Sequence, residues 1–251
     1  MMLDALRQHL TGLQKPAGIV NGPAMLPLGL PAVDGVLGGG LARGALHEIA
    51  AGSEPHLPAA TGFALGLAAL ADGDKHLVWI AEDMALAENG APYGAGLDAF
   101  GLSPQRLIAV SVAHRHELMW AMQEALRCRA VGAVLGELRH GALDAVAVRR
   151  LSLAAGDSGA MAFLLRTQPS HDASTAMTRW TVETAASDKK LVGQHLEFGA
   201  PRFAVHLARN RRGPTASWIL EWRNPDERFI LAAHAEPVAA PFLNRSHRKV
   251  A

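Results

Sequence analysis

The sequence is poor in cysteine, in aromatic residues and in net charge, and each shortage removes a class of protein. Cys128 is the only cysteine among 251 residues, which excludes an internal disulfide framework and a cysteine-rich zinc site. Aromatic residues make up 5% of the chain, so alanine, leucine and valine must supply most of the core. Charged residues are 19% against 49% hydrophobic; that ratio supports a sizeable core and excludes wholesale disorder. The formal net charge is +1, so nucleic-acid binding would need a local basic patch, not a global field. No apolar run approaches the roughly 18 residues of a membrane span. Near the N-terminus Asp4, Arg7, Gln8 and His9 interrupt the apolar positions, unlike the apolar stretch of a signal peptide. The expectation is a soluble cytoplasmic chain with no membrane partner.

What is present alternates strand-like with helix-like segments. Leu3, Leu6, Leu10 and Leu13 fall at helical spacing before Lys15-Pro16-Ala17-Gly18 breaks the pattern. That stripe needs a partner surface: the domain behind it, another copy, or another protein. The stretch 21–30 reads as an extended connector. From Leu28 to Gly44 apolar anchors alternate with turn residues, and Gly38-Gly39-Gly40 precedes a strand, as a tight turn does. Strands are predicted over 45–50, 76–81, 107–112, 131–138 and 161–166. Helices are predicted over 57–72, 97–102, 114–129 and 143–155, with 82–96 as a loop. Continuous apolar strands separated by helices are the pattern of crossovers on a parallel sheet. After Thr167 the helices stop, and strands over 179–185, 202–208, 217–223 and 227–233 predict an antiparallel edge. The domain reading is a helix and linker over 1–27, a core over 28–235 and a flexible basic tail over 236–251 that carries Arg245, Arg248 and Lys249.

In such a fold ligands sit at the carboxyl ends of the strands, and the first strand-to-helix junction is the place for a phosphate loop. The pattern G-x-x-x-x-G-K-[ST] started at Gly52 puts Leu57 at the second glycine, Pro58 at the lysine and Ala59 at the hydroxyl. Pro55 and Pro58 lack the N–H groups that such a loop offers to phosphate, and Glu54 adds charge of the wrong sign. The junction therefore reads as an ordinary turn. Glu137 at a strand end and the pair Glu82-Asp83 are the acidic groups at this edge of the sheet. Without the lysine and the hydroxyl they have no phosphate to act on, and they read as strand-end or helix-capping residues. His114 and His116, two residues apart on a predicted helix, point to different faces and make a poor metal pair. Ser170-His171-Asp172 are contiguous, whereas a catalytic triad converges from separate elements. No metal or cofactor is expected.

Arg209-Asn210-Arg211-Arg212-Gly213-Pro214-Thr215 lies between two strands, with Trp218 and Trp222 following. Clustered guanidiniums suit phosphate contacts, and neighbouring indoles suit stacking on bases. The alternative is a solvated turn whose arginines pair with Glu197 or Glu221.

The segment Leu28-Gly-Leu-Pro-Ala-Val-Asp34-Gly-Val-Leu-Gly38-Gly39-Gly40-Leu-Ala-Arg43-Gly44-Ala-Leu-His-Glu48-Ile49 resembles the approach to the phosphate loop in RecA-type recombinases. Together with Leu207-Ala-Arg209-Asn210-Arg211-Arg212-Gly213-Pro214-Thr-Ala-Ser-Trp218-Ile-Leu-Glu221-Trp222, it resembles the ImuA family, RecA-like accessory proteins of bacterial damage-induced mutagenesis. That resemblance implies an α/β RecA-like core, mainly parallel and flanked by helices. It also implies a place in the SOS response, in the cytoplasm and at the nucleoid after DNA damage. The partners it implies are an ImuB-like relative of the polymerases, an error-prone replicative-type DNA polymerase, RecA and single-stranded DNA. The family glutamate that activates water would map to Glu82, but the nucleotide-binding positions do not carry over. The leading expectation is a non-catalytic adaptor in translesion synthesis that uses Arg209, Arg211, Arg212, Trp218 and the tail. For the leading helix, packing on its own core is the simpler reading, and docking on another copy or on RecA, as the resemblance implies, is the alternative. A divergent ATPase using Glu82 and Glu137, and a SulA-like inhibitor of cell division, are the alternatives.

Overall fold

The computed structural model describes residues 24–232, apart from 74, 140, 142, 171, 173, 193 and 194 and the side chains of 72, 189–192, 195–198 and 225. The leading leucines Leu3, Leu6, Leu10 and Leu13 and the tail cations Arg245, Arg248 and Lys249 lie outside the described residues.

The chain opens with β1 (Met25–Leu26), α1 (Pro31–Leu37), β2 (Leu41–Ala42) and β3 (Leu46–Ala51). Helix α2 (Leu57–Asp72), β4 (His76–Glu82), α3 (Asp83–Asn89), α4 (Gly94–Asp98) and β5 (Leu107–Val112) follow. Then come α5 (Arg115–Leu126), β6 (Val131–Leu138), α6 (Ala145–Ser158) and β7 (Met161–Arg166). The remainder is β8 (Thr178–Ala185), β9 (Lys189–Val192), β10 (His195–Phe198), β11 (Arg202–Asn210), β12 (Ala216–Arg223) and β13 (Arg228–Leu231).

Nine strands form one sheet in the order β13-β12-β11-β8-β3-β7-β6-β4-β5. From β8 to β5 neighbours run parallel; β11, β12 and β13 continue the sheet antiparallel. The inner strands are mostly apolar because both faces are covered: every residue of β3, β6 and β7 is buried, the polar exceptions being His47, Glu48, Glu137 and Arg166. On one face α2 packs against a core that includes Ile49, Trp79, Leu135, Phe163 and Trp180. On the other, α5 and α6 cover Leu46, Val78, Ile80, Val134 and Leu164. The scarce aromatics gather where α2 meets the antiparallel strands. Phe63 lies within 6.2 Å, ring centre to ring centre, of Trp180, Phe203 and Phe229.

Several elements depart from the sequence reading. The stretch read as a loop over 82–96 contains α3, and the short helix expected over 97–102 is α4, three residues earlier. Helix α3 buries only Ala85; a helix with a single anchor leaves no apolar stripe to detect. The hairpin of β9 and β10 also escaped, being a small separate sheet in a polar stretch. The turn expected at Gly38–Gly40 is there, with positive φ at all three glycines. The Gly39 N–H closes onto the Asp34 carbonyl at 2.7 Å. Asp34 in turn accepts the N–H groups of Leu28 and Leu30 through its carboxylate, which ties down the start of α1.

Candidate functional site

At the carboxyl end of β3 three backbone donors of the first strand-to-helix junction are engaged within the protein. The Gly52 N–H donates to the Val182 carbonyl at 2.9 Å, and the His56 N–H to the Ser53 carbonyl at 2.9 Å. The Leu57 N–H bonds back to Glu54. The His56 ring accepts the Thr184 N–H at 3.1 Å, which stitches the turn to β8. Leu57 and Ala59, at the second-glycine and hydroxyl positions of the phosphate pattern, are core residues, and Pro58 faces outward. Glu183 leans over the turn: its carboxylate lies 2.6 Å from where a Cβ on Gly52 would stand. A triphosphate here would meet two carboxylates, Glu54 and Glu183, and few free donors.

The other acidic candidates do not converge. Glu137 lies level with Ala81 on neighbouring strands, so alternation puts Glu82 on the opposite face of the sheet. Glu137 is buried and accepts hydrogen bonds from Asn89 Nδ2 at 3.0 Å and Trp79 Nε1 at 3.3 Å. Burial pushes its carboxyl pKa up, and the two hydrogen bonds pull the other way. Asp83 accepts a hydrogen bond from the Ser111 hydroxyl at the start of α3. His114 and His116 are closer than helical spacing allows. His114 caps α5 instead of lying within it, so the two rings stack with centroids 5.6 Å apart. Among the described residues no group of three or more potential ligands is placed to hold a metal. Ser170 and Asp172 serve as backbone acceptors for the Arg179 guanidinium; His171 lies outside the described residues.

The basic segment is the tip of the β11–β12 hairpin. Because β11 runs against β8, with Asn210 opposite Thr178, this tip sits at the amino end of the parallel strands, the end away from Gly52. It is fixed there, not loosely solvated. Asn210 Nδ2 donates to the Val36 carbonyl at 2.9 Å and to Pro214 at 3.2 Å, and Asn210 Oδ1 accepts the Arg212 N–H at 3.0 Å. Half-buried Arg209 donates to the Ser174 carbonyl and exposed Arg211 to the Thr175 carbonyl, each at 3.1 Å. Arg212 is exposed beside Gly38. None of the three pairs with a carboxylate among the described residues: Glu221 is taken by Arg202 at 2.8 Å and Arg223 at 3.5 Å, and the Glu197 side chain is not described. Trp218 is half-buried, 6.1 Å from the Trp180 ring. Trp222 belongs to the core and donates to the Ala99 carbonyl, so it offers no face for stacking on a base.

Sequence reasoning missed how the two motifs behind the family resemblance meet. The hairpin tip bonds to the end of α1, inside the first motif. Glu48 of that motif forms a buried ion pair with Arg179 at 2.7 Å. Arg179 then holds the carbonyls of Ser170 and Asp172, in the same loop whose Ser174 and Thr175 carbonyls receive Arg209 and Arg211. Glu48, a carboxylate within a strand that is buried along its whole length, is the signal that could have found it.

No family profile matches the chain. A protein called ImuA from Caulobacter vibrioides, in both strain NA1000 / CB15N and strain ATCC 19089 / CIP 103742 / CB 15, is 30% identical over 222 residues, which cover 82% of this chain and 86% of that protein. The chain belongs to the ImuA family. Its fold is also that of a RadB recombinase crystal structure, with a TM-score of 0.55 at 15% identity over 82% of this chain and 98% of the other. This ImuA-family chain therefore has a RecA-like core, a mostly parallel sheet flanked by helices with antiparallel strands at the C-terminal edge. Among its described residues no helix is long and apolar enough to cross a membrane.

Proposed function

We propose that this chain is a non-catalytic adaptor in SOS-induced translesion DNA synthesis, joining error-prone polymerase components to damaged DNA. The observation that carries the reading is a contrast between the two ends of the sheet. At the carboxyl end the turn at Gly52 is closed by its own hydrogen bonds and overhung by Glu183. At the amino end the Arg209 and Arg211 guanidiniums donate to backbone carbonyls, the Arg212 main-chain N–H donates to Asn210 Oδ1, and none of the three has a carboxylate partner among the described residues, so their charge stays available to phosphate or to an acidic protein surface. Membership of the ImuA family supports an ImuB-like protein, an error-prone replicative-type polymerase and RecA as the partners to test.

The test is size-exclusion and cross-linking of the full chain with each purified candidate, with and without ATP. A complex with polymerase components that forms equally well in both conditions is expected. The variant Arg209→Ala/Arg211→Ala/Arg212→Ala should weaken that complex, or single-strand DNA binding, and flatten its salt dependence. Unchanged affinity across the salt titration removes the hairpin from the interface.

A further inference from the structure

A second cationic surface lies on the α5–α6 face, also at the amino end of the strands. An open trough of about 860 Å³ runs between the C-terminal halves of these two helices. Lys75, just before β4, and Arg129, just before β6, line it. Arg127 comes from the end of α5, and Arg150, Leu153 and Asp157 from one stripe of α6. Four cations thus face one carboxylate in the lining. Arg127 is engaged by Glu124 at 2.6 Å. Lys75, Arg129 and Arg150 are exposed and make no ion pair or hydrogen bond among the described residues.

Cations near a helix C-terminus are ordinary, since the macrodipole favours them, but one per helix end suffices for that. Here three unneutralised charges from three separate elements converge on one trough, in a chain whose formal net charge is only +1. Their mutual repulsion is relieved by a polyanion. The trough is too open to enclose a small anion, and it presents no aromatic ring to stack on a base. An acidic peptide would need apolar anchoring as well, and the protruding Leu153 offers a knob where such a ligand needs a hole. Long flexible cations spaced along a groove fit the evenly spaced charges of a sugar-phosphate backbone. We infer that the α5–α6 trough binds the nucleic-acid backbone without reading its sequence, with Lys75, Arg129 and Arg150 as the phosphate contacts.

Cys128, the only cysteine of the chain, is exposed in the lining and reports occupancy directly. An oligothymidylate strand and a mixed-sequence duplex, each added to the full chain at low salt, are expected to slow Cys128 modification by a bulky maleimide several-fold. Protection should vanish in high salt. Whichever of the two protects more strongly names the source of the backbone. Lys75→Ala/Arg129→Ala/Arg150→Ala should lower the affinity at least tenfold and reduce the salt slope by about 2 for single strands. Arg129→Lys/Arg150→Lys, which keeps the charge, should retain binding, and unchanged melting curves check folding for these exposed positions. The inference is overturned if neither nucleic acid binds, if either binds while Cys128 reacts at its free rate, or if polyglutamate alone protects. The Arg209, Arg211 and Arg212 variant should leave Cys128 protection intact, so failure of the trough and failure of the adaptor reading are separable.

Discussion

Among single residues, His47 shows best how burial rewrites ordinary chemistry. The side chain is completely buried on β3 and sits in a relay of hydrogen bonds. Trp180 Nε1 donates to the Thr178 hydroxyl at 2.8 Å, Thr178 faces His47 Nδ1 at 2.8 Å, and His47 Nε2 faces the Ala42 carbonyl at 3.0 Å. These partners assign the proton to Nε2 and leave Nδ1 as the acceptor. Desolvation lowers the imidazole pKa to about 4, against a weaker opposing pull from the Ala42 carbonyl. The unfolded chain therefore binds a proton that the folded chain refuses between pH ~6.5 and ~4. Stability from this residue is present above the unfolded pKa and lost as pH falls through that window, on the order of 3 kcal/mol in all. Urea titrations at pH 7.5 and pH 4.5 should show a steeper loss for the native sequence than for His47→Gln. Equal losses would mean that His47 binds its proton alike in the folded and unfolded chain and contributes nothing to the pH dependence.

At the scale of elements, the Glu48–Arg179 pair joins β3 to β8 and to the loop that supports the hairpin. Both side chains are largely buried, at 4% and 14% exposure, so removing one partner strands a charge away from water. Glu48→Ala should cost about 3 kcal/mol of stability in denaturant titration. It should also loosen the seat of Arg209 and Arg211, seen as faster backbone hydrogen exchange over 170–176 and 208–213. Protection that stays native there would confine the pair to a purely local role. Elements with a continuous apolar run or a full helical stripe could be read from the chain alone, and β3, β6, β7 and α2 fall where the pattern puts them. Elements held by one anchor could not: α3 rests on Ala85, and its remaining residues are shaped by solvent as much as by packing. The stacking of His114 on His116 follows from a capping conformation that helical spacing does not foresee.

Across the whole molecule, the turn at Gly52 and the hairpin tip stand at opposite ends of the sheet and differ in charge. Carboxylates Glu54, Glu82, Glu137 and Glu183 lie toward the carboxyl ends of the parallel strands; Lys75, Arg129, Arg211 and Arg212 lie toward the amino ends. A nucleotide bound at a hundred times its Kd would add about 2.7 kcal/mol of stability. Magnesium-ATP at millimolar concentration should instead leave Tm unchanged; a rise of several degrees would return the turn at Gly52 to the list of ligand sites.

The order of apolar strands and helices determined the RecA-like core, because hydrophobic periodicity is a local property that survives translation into structure. The departure of the Gly52 junction from the phosphate pattern is likewise a property of the sequence, since Pro58 at the lysine position neither donates an N–H nor carries charge. Tertiary structure alone decided what meets what. Strand order brings Asn210 to Val36, leans Glu183 over Gly52 and draws Lys75, Arg129 and Arg150 to one trough. Residues so far apart along the chain become neighbours only when crossovers set strand order, and no local pattern encodes that order.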